Sequence, residues 1–442
     1  MSRLKKTSIR ALRKSAHLSN KVLAKGARFT EKVEDKATRI ITGKDYSLML
    51  DAYTPVEQAL FNGISYNIAP LNPALPAVGR GGKVTLLIPS LNKRSFFGGT
   101  ATALIMAGKL AQELKMPLRI VETLAPGGKE GLGDFFKENH ISLSDEVELI
   151  DVSARTFDRY GYIDLHPDDV FMASAWWDAR LLSRLPLKRK FIYLIQDFEP
   201  IFYSNSDEYV LAETTYRTEN FIPVCNTELM YKFMCHENYA YIKEHGLWFE
   251  PAVSKEMFGL SVENKDKKRM FLYGRPSVAR NLFYTAIDAI NEAFNSGELN
   301  PNEWEIFMAG QDKLPNIRLS TGATIQNLGK LTMTEYNQFI RTIDVAISPM
   351  MAPHPNYPTL EFASVGAAVV TTRYVTKQDL SNYSPNIFIA DLDMQDLSKN
   401  ISKAANMSYA KRMQNQKATN IPAKWDTTLQ KTLQKVTKLL TQ

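Results

Sequence analysis

The sequence predicts an α/β protein of two doubly wound parallel-sheet halves, and three observations predict it. A short apolar strand, Lys83–Pro89, runs into a glycine-bearing loop and then a stretch of helical spacing, Thr100–Leu114. Strand, loop and helix in that order open an open parallel sheet. The order restarts at Met270–Tyr273, with a loop to Asn281 and a helix through Asn291. The third is length: 442 residues exceed what one core ordinarily fills, so two domains are the natural division.

Composition excludes several classes. Hydrophobic residues at 44% and charged residues at 23% are those of a globular protein. No run of about eighteen apolar residues suggests a membrane-spanning helix, and the basic N-terminus lacks the apolar core of a secretory signal. Cys225 and Cys235, with no CxxC, read as reduced packing residues of a cytoplasmic protein. The net charge of +7 is uneven: residues 1–40 hold twelve Lys/Arg against three acids, +9, and the remainder carries −2. A near-neutral body argues against a nucleic-acid groove. The arm, 1–45, reads either as a solvated helical tail or as a segment lying on anionic lipid, at about 1 kcal/mol per basic residue.

The elements follow in order. Residues 46–252 form the first domain, entered through Gly79–Gly82. Its loop Ser90–Gly99 ends in Gly98-Gly99, which lets backbone approach a ligand before a helix start that favours an anion. Leu118–Leu124, Val147–Val152, Asp169–Ser174, Phe191–Ile195, Ile222–Cys225 and Leu247–Phe249 are strands. Phe191–Ile195 delivers Gln196-Asp197-Phe198-Glu199-Pro200 at its C-terminal end, where open sheets bind ligands, so Asp197 and Glu199 are candidate substrate contacts or helix caps.

Residues 253–420 form the second domain, with an interdomain crossing at Val253–Lys268. Trp304–Ala309 and Ile325–Leu328 are strands, and Thr334 is a plausible cap for a helix to Arg341. The apolar run Val345–Ile347 leads into a proline-rich loop. Pro358-Thr359-Leu360-Glu361 then opens a helix that Gly366 ends in a left-handed cap. Asn386–Ala390 is the last strand, and residues 421–442 contain an amphipathic terminal helix from Trp425 to Leu440.

Three parts of the second half converge in such a fold: the loop after Tyr273, the Gly329-Lys330 turn and the helix opened by Pro358. They bring together Arg275, Arg280, Lys330, a helix N-terminus and Glu361. Guanidinium forks and an ammonium suit phosphate oxygens. They would stabilise the charge on a departing pyrophosphate without metal. Glu361 is better placed to accept bonds from sugar or ribose hydroxyls.

Tyr273-Gly274-Arg275-Pro-Ser-x-x-Arg280-Asn281, Leu328-Gly-Lys330 and Pro358-Thr-Leu-Glu361-x-Ala-x-x-Gly366 resemble retaining-type, family-4-like glycosyltransferases of the GT-B fold. YGRPS, QDFEP and HPNYPTLE resemble more narrowly the WsaF-type rhamnosyltransferases of bacterial surface-glycan assembly. The resemblance covers Lys83 to the terminal helix. It implies two Rossmann-like domains facing a cleft, with a nucleotide sugar, dTDP-rhamnose, in the second and the acceptor glycan or lipid-linked glycan in the first. It also implies a terminal helix that crosses back to the first domain. The diphosphate would be held by Arg275, Arg280, Lys330 and the Thr359 and Leu360 amides, with Gly274 in the same loop. Glu361 would hold ribose or sugar, and Gly98-Gly99 would close over the site. Family-4-like enzymes carry Glu-x7-Glu, and Pro353 stands where the first acid belongs, so His354 and Tyr357 become candidates for holding the sugar.

Inversion would require a base, Asp197 or Glu199; retention would require none, because the leaving phosphate could take the acceptor proton. Asp391-Leu392-Asp393 could suggest a metal pair, but its place after a late strand favours a helix start. Six scattered histidines offer no ligand cluster, so no metal and no cofactor are expected. The expected setting is the inner face of the plasma membrane, and a homodimer is left open. Weighed against this stand another nucleotide sugar as donor, a non-transferring 2-epimerase, and a non-catalytic membrane-associated scaffold. A dehydrogenase lacks its dinucleotide fingerprint here.

Overall fold

Runs of fully buried β-branched and aromatic residues alternate with amphipathic stretches, and this alternation assembles two seven-stranded sheets. The computed structural model describes residues 71–73, 81–91, 96–153, 162–253, 259–263 and 266–441. The basic arm, 1–45, and most of the proposed crossing before Gly259 lie outside the described residues.

In the first half the elements are β1 (Asn72–Pro73), β2 (Val84–Ile88), α1 (Gly98–Leu114), β3 (Leu118–Glu122), α2 (Leu132–Glu138) and β4 (Glu148–Asp151). β5 (Tyr162–Ile163), β6 (Val170–Ala173), α3 (Trp176–Leu182), β7 (Phe191–Ile195), α4 (Asp207–Thr215) and β8 (Phe221–Asn226) follow. α5 (Glu228–His236), α6 (Ala240–His245) and β9 (Leu247–Phe249) complete it. The main sheet is parallel throughout in the order β4-β3-β2-β6-β7-β8-β9, and β1 pairs with β5 apart from it.

The second half contains β10 (Lys268–Tyr273), α7 (Phe283–Asn295), β11 (Trp304–Ala309), β12 (Ile317–Arg318), β13 (Thr324–Asn327), α8 (Met333–Ile340) and β14 (Val345–Ile347). Then come α9 (Tyr357–Val365), β15 (Ala368–Thr372), β16 (Ile387–Ala390), α10 (Met394–Ala405), α11 (Tyr409–Lys417) and α12 (Trp425–Leu440). The order is β12-β13-β11-β10-β14-β15-β16, with only edge strand β12 antiparallel. In the centre Phe271 of β10 lies between Phe307 of β11 and Ala346 of β14.

Strand order places the loops that matter. The chain leaves β10 towards β11 and leaves β14 towards β15, on opposite sides, so their C-terminal loops part at a switch point and open a crevice between them. Those loops are Gly274–Asn281 and Ser348–Asn356, tied together where Met351 N donates to Arg280 O at 2.8 Å.

α12 packs on the first half. Leu429, Leu433, Val436 and Leu440 are buried with β2, α1 and β9 residues in one core, and Thr432 Oγ1 donates to Trp248 O at 2.7 Å. The two passages of chain between the halves touch where Val253 N donates to Pro422 O at 2.8 Å. Helix α8 starts earlier than its apolar spacing suggested: Thr332, not Thr334, is the cap, in a capping box with Glu335. Among the described residues no helix is long and apolar enough to cross a membrane.

Candidate active site

A cleft of about 1060 Å³ lies between the halves, and it brings Gly98, Thr102, Lys330, Tyr357 and Glu361 to one space. Lys330 reaches it because β13 ends in a turn at Gly329, whose φ of +69° favours glycine. Asp312 Oδ1 fixes that turn by accepting from Lys330 N at 2.8 Å, and the ammonium is left exposed. Glu361 lies one turn into α9 and its Oε2 accepts from Tyr336 OH at 2.7 Å. Burial raises its carboxyl to about 7, against the opposing pull of that hydroxyl. It is therefore a carboxylate whose charge titrates near neutrality inside a cleft.

The switch-point loops supply the guanidinium groups. Arg275 is exposed at the head of the first loop, and its Nη1 donates to Tyr273 OH at 3.3 Å. Gly274 N is held by Ala309 O at 2.9 Å. Gly310 packs below: its φ is +130°, and a Cβ there would meet Arg275 Cγ at 2.8 Å. Arg280 behaves differently. Its Nε donates to Asp197 Oδ2 at 2.8 Å, and its guanidinium lies 4.2 Å over the Phe202 ring.

Several sequence expectations need correction. Thr359 and Leu360 do not offer free amides. Asn356, in an unusual backbone state at φ +63°, caps α9 and accepts from Thr359 N at 2.8 Å, while its carbonyl faces Leu360 N at 3.4 Å. The two side chains are buried in the core beneath. An asparagine followed by Tyr-Pro carried this signal, since Asn is a favoured cap and Pro fits the first turn.

His354 and Tyr357 both make contacts with the first domain, and Tyr357 also lines the cleft. His354 Nε2 stands 3.2 Å from Asp197 Oδ2. The Tyr357 hydroxyl bonds Thr102 Oγ1 and accepts from Asn226 Nδ2 at 3.2 Å. A Cβ at Gly98, whose φ is +51°, would meet Tyr357 Cδ2 at 3.8 Å, and Gln196 Nε2 donates to Gly99 O at 3.0 Å.

The two candidate bases fare poorly. Burial alone would raise the Asp197 carboxyl, but Arg280 and His354 beside it hold it down at about 2, so it is a weak base. Glu199 points away from the cleft into the first domain's aromatic core, where its Oε2 accepts from Tyr193 OH at 3.0 Å. Burial pushes it up to about 8, despite the Tyr193 hydroxyl.

That shift has a sign. Between about pH 4.5 and 8 folded Glu199 keeps a proton that the unfolded chain releases, so stability falls as pH rises. Glu199→Gln, neutral throughout, is expected to remove this slope and to stabilise the protein at pH 8 by on the order of a few kcal/mol. Denaturant melts at pH 5 and pH 8 measure it; an unchanged slope would place the charge elsewhere.

Lys377 is a residue that sequence reasoning missed. It is fully buried, its Nζ donates to Met350 O at 3.2 Å, and burial lowers it to about 7 while Asp197 pulls it back up. A lysine in a polar loop carries no sequence signal of this. Asp391 and Asp393 act locally, as their position suggested: Arg373 Nη1 pairs with Asp391, and Asp393 Oδ1 caps α10 through Asp396 N at 2.9 Å. Among the described residues no His/Cys/Asp/Glu group has the arrangement of a metal site.

Two family models match this chain: "WsaF, N-terminal domain" over residues 83–228 and "WsaF, C-terminal domain" over residues 268–402. The chain belongs to the WsaF family. The C-terminal WsaF match spans the whole second sheet and the N-terminal one all of the first but β9, and the architecture is that of the GT-B glycosyltransferases. Among solved structures, TarM of S. aureus matches at a TM-score of 0.57 and 9% identity, over 82% of this chain and 100% of that one. HepE of Anabaena, in complex with UDP and glucose, matches at 0.51 and 12%, over 82% and 100%. Sucrose-phosphate synthase of Thermosynechococcus elongatus matches at 0.53 and 11%, over the same shares. A curated relative, the O-antigen biosynthesis protein RfbC of Myxococcus xanthus, is 30% identical over 227 residues, 50% of this chain and 17% of RfbC. This WsaF-family chain thus spans less than a fifth of that relative's length.

Proposed function

We propose that this protein transfers a 6-deoxyhexose, L-rhamnose, from its dTDP form to a hydroxyl of a growing bacterial surface glycan. The observation that carries the reading is the meeting of Lys330 and Glu361 in one interdomain cleft, with Arg275 exposed at the adjoining switch point. Support for a nucleotide-sugar donor comes from HepE, solved with UDP and with UDP-glucose. Support for a surface glycan comes from RfbC, an O-antigen biosynthesis protein. The choice of rhamnose rests on WsaF-family membership and the motifs that resemble WsaF-type rhamnosyltransferases.

In this reading Arg275, Lys330 and the outer nitrogens of Arg280 meet the diphosphate, and their charge stabilises it as the glycosidic bond breaks. Glu361 accepts a hydrogen bond from the deoxyribose 3′-hydroxyl. With Asp197 ion-paired and Glu199 turned into the core, retention is favoured, the leaving phosphate taking the acceptor proton. Residues 1–40 would add a peripheral contact with anionic membrane.

Thermal shifts with dTDP-rhamnose, dTDP, UDP-glucose, UDP-GlcNAc, GDP-mannose and NADH test the donor, because a ligand of the folded state raises the melting temperature with saturation. A selective shift with dTDP and dTDP-rhamnose is expected. A shift with another nucleotide sugar would discard rhamnose, and none at all would favour a non-catalytic scaffold.

The Glu361 carboxyl at about 7 gives dTDP binding a pH dependence. The deoxyribose offers one free hydroxyl, which a carboxylate accepts more strongly than the neutral acid does, so affinity is expected to rise as pH passes through about 7. Calorimetry from pH 5.5 to 8.5 should show this rise, and Glu361→Gln should flatten it. We further propose that transfer needs no metal. Full turnover is expected in EDTA, and a loss restored by Mn²⁺ would overturn the proposal.

A further inference from the structure

Asp197 and Arg280 come from different domains, yet they meet in a site where Asp197 is 5% exposed. The carboxylate is held on every side. Its Oδ1 accepts from Phe198 N at 2.8 Å, and its Oδ2 takes Arg280 Nε and faces His354 Nε2. His354 Nδ1 accepts from Asn356 N at 3.1 Å, so its proton sits on Nε2, the nitrogen 3.2 Å from Asp197 Oδ2. The loop that caps α9 and the loop that carries Arg280 thus both dock on one carboxylate of the other domain.

A guanidinium presents five N–H groups in a fixed fork. On Arg280 the Nε–H is engaged by Asp197 and one face lies on Phe202, both from the first domain. The two Nη groups have no hydrogen-bond acceptor among the described residues. Their direction is therefore set by a domain to which Arg280 does not belong. Lys377 is buried within electrostatic reach of this carboxylate, its Nζ donating to Met350 O at 3.2 Å.

We propose that Asp197 is a positioning residue for glycosyl transfer, the anchor of an interdomain clasp that aims the Arg280 Nη groups at the donor diphosphate only when the domains are closed. The inference rests on the donor reading above. When the domains part, Arg280 swings free of Asp197 and Phe202 and contributes little to the leaving group. Donor binding then depends on Arg275, Lys330 and Glu361, and the clasp acts on turnover.

The test uses the full chain, dTDP binding by calorimetry, and dTDP release from dTDP-L-rhamnose with water or an acceptor as receiver. Asp197→Asn is expected to lower kcat by about 10- to 100-fold while the dTDP Kd stays within about threefold of wild type. Asp197→Glu should recover part of the loss. Arg280→Lys keeps the charge but lacks the fork; it should show the same kcat defect, and the double variant should be no worse than the poorer single one. If Asp197→Asn does not fold, Phe202→Leu, which removes only the ring platform, should give a smaller defect of the same pattern. Wild-type kcat in Asp197→Asn, or a fall in dTDP affinity that tracks kcat, would overturn the clasp and leave the donor site standing. Absence of dTDP binding by the wild-type protein would overturn both readings together.

Discussion

Arg275→Ala is expected to reduce turnover of dTDP-rhamnose by about 100-fold or more, the usual loss when one donor to a developing oxyanion is removed. The two arginines of the Gly274–Asn281 loop are not equivalent. Arg280 is ion-paired to Asp197 and stacked on Phe202, whereas among the described residues the Arg275 guanidinium hydrogen-bonds only a tyrosine hydroxyl and stands exposed. The freer guanidinium is the one available to grip a diphosphate in its fork. Steady-state rates of dTDP release check this. Wild-type turnover in Arg275→Ala would mean that the diphosphate lies elsewhere. Arg275→Lys should retain only part of the rate, because an ammonium offers a point charge without bidentate geometry.

Ending the chain before Trp425 is expected to unfold the first domain, although the deleted helix follows the second in sequence. Leu429, Leu433, Val436 and Leu440 are buried in the core of the first sheet, at 0–5% exposure. Each such side chain contributes roughly 1.5–3 kcal/mol on burial, so the four together approach the roughly 5–15 kcal/mol that holds a domain folded. Lys109, itself buried in α1, would also lose its partner Asp426. Circular dichroism melts would show an early transition that accounts for the first half of the signal. A truncated chain with a wild-type melt would mean the helix contributes little beyond the contacts seen.

The sheets themselves were legible from local pattern. Phe191–Ile195, Leu247–Phe249 and Trp304–Ala309 are strands over the residues their apolar runs mark out, and Gly366 caps α9 at φ +98° as its position suggested. In such stretches the chain's period decides, and a period is a property of neighbours. Lys330 and Glu361 were legible for a related reason: residues at strand ends and on early helix turns face the crevice of any parallel sheet.

What the sequence determined by itself was the two-sheet plan, the WsaF-type motifs and the set of cations and carboxylates near the cleft. Tertiary structure alone decided how those charges are shared. Asp197 and Arg280 are 83 positions apart, and Tyr357 meets Asn226 across 131. No periodicity links such pairs. Against the upward push of burial, Arg280 and His354 beside it turned Asp197 from a candidate base into a tightly held anion, while burial drove Glu199 the other way despite its tyrosine partner. A side chain's type is written in the sequence, but its charge state depends on the solvent it loses and the partner it gains, and only the folded chain settles both.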